Sequence, residues 1–504
     1  MKRNSLTTAV LAGLTGIAGM AGVANAVNVN PDGLGQVLLF PYYTAREGND
    51  TYISIVNTAD VGKAVKIRFI ESLNSREVLD FNIYMSPFDV WAAVITKDDS
   101  TGGGRVVFDD TTCTAPYLVE TVGGSQEFLT AEFIDGGPEG ADRTKSGYIE
   151  VIEMGTLIPG EAPAVAAKHV NGVPPDSGTV NPRTCGLFTE WWIDGSFANG
   201  TGQWVNDAGD GIGAPTGGLF GSGTVLNVDS GAMYPYNAVA IDGFWGDAGG
   251  DHTDPASLEP SLANADTTSI AFINGAVSEV TWDIGVQAVN AAITLSELYN
   301  EYMIEEGVMG ATEWVLTFPT KRFHVNVPTD DDVIPPFTEA WNVDSPVSCD
   351  VVDFQVYDRE EQTPDPDTGG VIVSPQRPGP EPEFELCREV NIVRFSNDGS
   401  LPAFAEISGE PSAEEAERPA YGYVNLEIAP TANAIFENGW AAFDLRNFES
   451  APALNPAGAT IRGLPVIGFS MTRYANQDVG GLLANYGQSF EHRGSRQMPE
   501  VPGS

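Results

Sequence analysis

The chain reads as mainly β, built from antiparallel β-sandwich-like domains with long loops and one short helix. Three observations predict this. Residues 63–69 alternate, with Val65, Ile67 and Phe69 on one side and Lys66 and Arg68 on the other; Leu79, Phe81, Ile83 and Met85 repeat the pattern against Asp80 and Asn82. A period of two is that of a half-buried strand. Polar turns separate such runs at short intervals. A helical spacing with its own start and stop signals is convincing at one place only. Sheets with one wet face each are the expectation.

The elements follow in order. Val37 to Tyr43 is apolar and aromatic, and Thr51 to Thr58 carries Ile53 and Ile55 on one face. Trp91 to Ile95, Arg105 to Phe108 and Gly147 to Met154 continue the strands of an N-terminal domain, 27–183. Within it, Leu157 to Pro182 is rich in Pro, Gly and Ala and reads as a long surface loop. An acidic, Gly- and aromatic-rich β region, 184–328, follows, with a hairpin at Thr224 to Val228 and Ala232 to Ile241. Its helix is placed at 294–306: Thr294 and Glu297 form a capping box, Leu295, Leu298 and Tyr302 follow at helical spacing, and Gly307 stops it. Trp314 to Val327, with His324, returns to strand. Residues 329–345, with Asp330, Asp331, Asp332, Pro335 and Pro336, read as a linker. The C-terminal β domain, 346–504, has strands at Val351 to Tyr357, Val390 to Phe395, Tyr423 to Ile428, Trp440 to Leu445 and Val466 to Tyr474. Its insert at 362–382, dense in Pro, Gly and Asp, cannot pack a core.

The first 26 residues read as a cleavable export signal. Lys2 and Arg3 precede an apolar stretch from Leu6 to Val23, and Ala24-Asn25-Ala26 is a small-x-small cleavage site. The expected location is therefore extracellular, cell-surface or periplasmic, with no membrane segment once the signal is removed. An even number of cysteines in an exported chain suggests two disulfides. Order along the chain favours Cys113–Cys185 and Cys349–Cys387, although three pairings are formally open; a zinc site, the rival, lacks a Cys-x-x-Cys pair.

The formal net charge is −44, and between Arg183 and Lys321 there are 18 acids and no Lys or Arg. Such a surface repels phosphate backbones, which argues against nucleic-acid partners. Self-repulsion at this density calls for screening by salt or bridging by divalent ions. Both readings stand, adaptation to a salty medium or calcium-dependent folding and assembly. Calcium, the one cofactor suggested, would use Asp-rich, Gly-rich turns: Asp207 and Asp210 in one, Asp247, Asp251 and Asp254 in another. No twelve-residue EF-hand pattern is present.

Hydrolytic signatures are missing. There is no Gly-x-Ser-x-Gly elbow, no paired His at helical spacing and no phosphate-cradling Gly-x-x-x-x-Gly-Lys motif. Sugar binding needs only aromatic platforms beside carboxylates. Glu190-Trp191-Trp192-Ile193-Asp194 is the suggestive cluster: in an extended strand Glu190, Trp192 and Asp194 would share one face. No catalytic residue is assigned. The implied function is that of a non-catalytic structural, surface or matrix protein whose partners are further copies of itself or cell-surface components. The alternative is a secreted carbohydrate-binding protein or glycosidase.

Several phrases carry a resemblance: Leu39-Phe40-Pro41-Tyr42-Tyr43 with Ile53-x-Ile55-x-Asn57-Thr58, Trp314 to Lys321, Asp358-Arg359-Glu360-Glu361, and Gly463 to Phe469 with Asn485-Tyr486-Gly487. The chain resembles an uncharacterised family of exported, β-rich bacterial surface or secreted proteins. The resemblance implies a secreted architecture and transfers no activity and no site residue.

Overall fold

The computed structural model describes residues 26–118, 124–173, 175, 184–193, 202–273, 276–344, 346–363, 371–374, 384–396, 423–428, 436–454, 460–479 and 482–497. Residues 1–25 of the expected export signal, Asp194 and most of the 362–382 insert lie outside them. The fold is mainly β, as the alternation implies. Its first strands are β1 (Asn28–Val29), β2 (Val37–Thr44), β3 (Asn49–Asn57), β4 (Gly62–Glu71), β5 (Glu77–Met85), β6 (Val90–Lys97), β7 (Gly104–Val107), β8 (Cys113–Ala115), β9 (Ser125–Glu127), β10 (Ser146–Leu157), β11 (Ile212–Gly213), β12 (Leu219–Asn227), β13 (Ala232–Asn237) and β14 (Val239–Asp242). They form two sheets, one ordered β1-β14-β2-β10-β4-β5-β8 with β11 beside β10, the other β13-β12-β3-β6-β7-β9. Their apolar faces meet: Val65, Ile67 and Phe69 of β4 and Phe81 and Ile83 of β5 share one core with Ile53 and Ile55 of β3 and Trp91 and Ile95 of β6. This is a sandwich packed through alternating side chains.

The first sheet does not have a wet outer face. All ten residues of β4 are buried, as are all twelve of β10. A third layer covers this side. Lys63 on β4 pairs with Glu153 on β10 (2.7 Å) and donates to the Gly217 carbonyl (2.6 Å). Arg68 pairs with Glu150 and Glu77, both at 2.6 Å. Trp245 donates to the Glu153 carbonyl at 2.7 Å. The alternation was read correctly, but the polar side holds paired charges under a cover of chain. Part of that cover comes from the stretch expected as a loop, which contains a short helix, Ala162–Ala167.

The Cys113–Cys185 disulfide ties helix Thr184–Trp191 to β8, and Cys349–Cys387 forms the second bridge. Both agree with the chain-order pairing.

In the C-terminal half, strands Val371–Ser374, Tyr423–Ile428, Val390–Ser396, Ala311–Thr317, Ile467–Val479 and Leu482–Glu491 lie side by side in that order. A four-stranded sheet, Asp353–Asp358, Asn438–Asp444, Glu297–Met303 and Arg493–Ser495, packs beside it. The helix expected at 294–306 is a correction. Glu297–Met303 is a strand, and the helix is Gly285–Ile293, with Thr294 as its C-terminal cap (Thr294 Oγ1 to Asn290 O, 2.7 Å). The buried pair Leu298 and Tyr302 is four residues apart, a spacing that one turn of helix and two repeats of strand share. The true helix is buried at all nine positions; Val286, Val289 and Ile293 fall at helical spacing beside Gln287 and Asn290, but the run is short and otherwise mostly Ala. His324 likewise lies in a helical turn, Arg322–Val325, beyond the strand that ends at Thr317.

The halves share a core. Ala311, Val315, Val390, Ile392 and Phe469 pack in the same cluster as Leu38 and Phe40, and Thr317 donates to the Pro41 carbonyl (2.6 Å). Residues 329–344 are anchored by buried Phe337 and Trp341, whose indole donates to the Asp135 carbonyl (2.8 Å). At the other end Val27 is fully buried and its N–H donates to Thr268 O (2.9 Å). Ala26 is buried too, and Gly243, at φ +65°, leaves no room for a Cβ, which would lie 2.3 Å from Ala26 O.

Candidate functional site

The third layer is built on aromatic rings. Tyr84, from β5, stacks on Phe188 of helix Thr184–Trp191 (centroids 4.2 Å) and on Trp204 (5.2 Å). His252 lies edge-on to Trp204 at 4.6 Å and 5.0 Å from Trp192. One hydrogen-bond chain threads the cluster. His252 Nδ1 faces the Ala208 carbonyl at 2.6 Å, which makes it the donor. Nε2 is then the acceptor for Tyr84 O–H (3.0 Å), and the Tyr84 oxygen accepts from Trp192 Nε1 (3.1 Å). Burial lowers the His252 pKa to about 4, which keeps the ring neutral in this role.

A cleft of about 490 Å³ opens beside this cluster. Trp192, Leu79, Leu129 and Leu258 give it apolar walls, and Glu77, Asp80, Glu132 and Asp254 add carboxylates. The acids are positioned from behind. Lys66 sits 3.0 Å from Asp80 and donates to the carbonyls of Asp254 (2.8 Å) and Ser257 (3.1 Å), so one ammonium holds both β5 and the covering loop. Burial, and then the neighbouring Glu77 charge, push the Asp80 carboxyl up to about 7, and burial lowers the pKa of Lys66. Around neutrality the cleft can therefore present a protonated carboxyl that donates a hydrogen bond as well as carboxylates that accept.

Of the residues singled out for sugar binding, Trp192 lines this cleft and Asp194 lies outside the described residues. Glu190 is exposed and is not part of the lining. The strand geometry proposed for 190–194 is corrected: Glu190 is in the helix Thr184–Trp191 and Trp192 in the turn that closes it (Trp192 N–H to Thr189 O, 3.1 Å), so no extended strand puts them on one face. Of the aspartates considered for calcium, Asp254 lines the cleft and accepts from Ala256 N (2.8 Å). Asp207 accepts from Gly209 N (3.1 Å) and Asp210 from Gln203 Nε2 (2.8 Å); Asp247 and Asp251 are exposed. Among the described residues these five do not gather in a group of three ligands. The one such group, Cys349, Glu385 and Cys387, has both thiols in a disulfide.

Asp80, Lys66, Tyr84 and His252 are the site residues that sequence reasoning missed. One signal was available: Arg68 stands directly opposite Asp80 across β4 and β5, with Lys66 on the same parity. Opposite charges on matching positions suit a covered face as well as a wet one. No family model, curated protein or solved structure matches the chain.

Proposed function

We propose that this is an exported, non-catalytic structural protein of the cell surface or matrix, which assembles by stacking one sheet face on a second copy of itself. One observation carries the reading. The outer face of the β13-β12-β3-β6-β7-β9 sheet carries exposed apolar side chains among Ser, Thr and Asn: Met233 is 50% exposed, Val90 47%, and Tyr52, Phe220 and Val107 are exposed beside them. With about 3.3 Å per residue and about 4.8 Å between strands, six strands averaging six to seven residues give roughly 600 Å². That is near the lower end of what each partner buries in a stable complex, about 600–1,000 Å². A second copy is favoured over an acidic or nucleic-acid partner because its matching face would meet it without bringing two acidic surfaces into contact. The export signal, the two disulfides and the resemblance to secreted bacterial proteins support the location.

Analytical ultracentrifugation of the mature chain at low and high salt tests the reading. Concentration-dependent dimers or larger particles are expected, and Val90→Glu with Met233→Glu should return them to monomers. A wild-type protein that stays monomeric throughout would overturn it.

A second reading, carbohydrate binding, is favoured by Trp192 bordering a cleft with Glu77, Asp80 and Asp254. It predicts saturable binding to a glycan panel that falls at least tenfold in Trp192→Ala and is unmoved in Glu190→Gln.

A further inference from the structure

A cavity of about 750 Å³ lies between the first sandwich and the C-terminal half. Its size is within the range of pockets that hold small organic ligands, about 300–1,000 Å³. Ile293, Leu295, Val466 and Ile467 line it on one side and Ala238 and Val239 on the other. Arg496 also lines it, the one guanidinium that does.

Several buried cations are matched to acids, Lys63 to Glu153, Arg143 to Glu71 (2.9 Å) and Asp135 (2.8 Å), Lys321 to Asp350 (3.0 Å) and Arg394 to Glu313 (2.7 Å), whereas Arg388 is buried against the Pro346 carbonyl with no acid in ion-pair distance among the described residues. Arg496 is half-buried and uses Nε alone, donating to the Thr294 carbonyl at 3.0 Å. Among the described residues no carboxylate lies within ion-pair distance of it, and neither terminal nitrogen has an acceptor. Burial alone lowers its pKa. An arginine stays protonated through such a shift, and a guanidinium fixed through Nε presents its two terminal nitrogens as a fork that matches a carboxylate. His492 shares the cavity but is already used: Nε2 donates to Val315 O (3.0 Å) and Nδ1 accepts from Asn300 (3.0 Å).

We propose that this cavity binds an organic monocarboxylate with an aliphatic body, its carboxylate held by the terminal nitrogens of Arg496. The apolar walls take the body. Asp32 and Glu491 on the same lining disfavour a second negative charge, which selects against phosphate and dianions. The proposal goes beyond the structural role.

Isothermal titration of the full mature chain with dodecanoate, dodecanol and inorganic phosphate tests it. Dodecanoate should bind once per chain, dodecanol at least tenfold more weakly, and phosphate not at all. Arg496→Gln should weaken dodecanoate at least tenfold and leave dodecanol unchanged. Asn237→Trp narrows the mouth from an exposed position and should weaken both; it carries the test should Arg496→Gln fail to fold. Absence of saturable dodecanoate binding, or binding that neither variant changes, would overturn the proposal.

Discussion

His252 and His324 are buried and neutral, each with its pKa lowered by burial to about 4. Both rings are fixed by hydrogen bonds: His324 Nδ1 donates to Ile334 O (2.9 Å) and Nε2 accepts from Asn290 (2.6 Å). An unfolded histidine titrates near 6.5, so the stability tied to neutrality is fully present above about pH 6.5 and is lost as pH falls toward 4. At pH 4 the loss is about 3 kcal/mol per ring at roughly 1.4 kcal/mol per pH unit. Asp80 runs the other way. Its raised pKa gives stability present below about pH 4 and lost as pH rises through about 7. Urea denaturation of wild type and His324→Gln from pH 7 to 4.5 checks the histidine argument. The variant should be less stable at pH 7 and lose less on acidification; equal slopes would refute it.

Helix Thr184–Trp191 is eight residues long, too short to persist alone, and is held by Cys185 and by the packing of Phe188 and Trp191. A loop of 72 residues closed by a disulfide contributes roughly 4 kcal/mol in the chain-entropy model. Replacing Cys113 and Cys185 by Ala should lower the unfolding free energy by about that much. It should also loosen the rings of Trp191, Trp192 and Trp204, visible as a red-shifted emission; an unshifted spectrum with unchanged stability would contradict the anchoring role. At this scale the sequence was legible where apolar and polar side chains alternate. Strands β3, β4 and β5 show their period because their inner faces are apolar and their other faces polar. Helix Gly285–Ile293 carries its period on only Val286, Val289 and Ile293 in a nine-residue run, and Leu298 and Tyr302 satisfy two periods at once. The charges of β4 were seen, but their cover comes from residues more than 140 positions away, such as Gly217 and Asp254. The cleft escaped for the same reason: Asp80 and Trp192 meet only through the fold.

Across the molecule, charge is sorted by depth. Of the described cations, Lys97, Lys168, Arg359, Arg446 and Arg493 are exposed, while Lys63, Lys66, Arg68, Arg143, Lys321 and Arg394 are buried in ion pairs. These six neutralise interior acids, so they do not offset the acidic excess at the surface. Repulsion among exposed charges is screened over about 10 Å at 0.1 M salt, whereas buried pairs are screened far less. The melting temperature should therefore rise between 10 mM and 1 M NaCl. Millimolar calcium separates the two readings of the acidity: a rise beyond that of magnesium at equal ionic strength marks specific bridging, and an equal rise marks general screening. The other end of the chain sets a sequence of events. Ala26 and Val27 are wedged beneath Gly243 and Thr268. A peptidase must draw its substrate out as a free strand before cutting. If the leader is removed at this junction, trimming has to happen while the polypeptide is still emerging; once the sheet closes, the bond is out of reach and a late precursor would keep its leader for good.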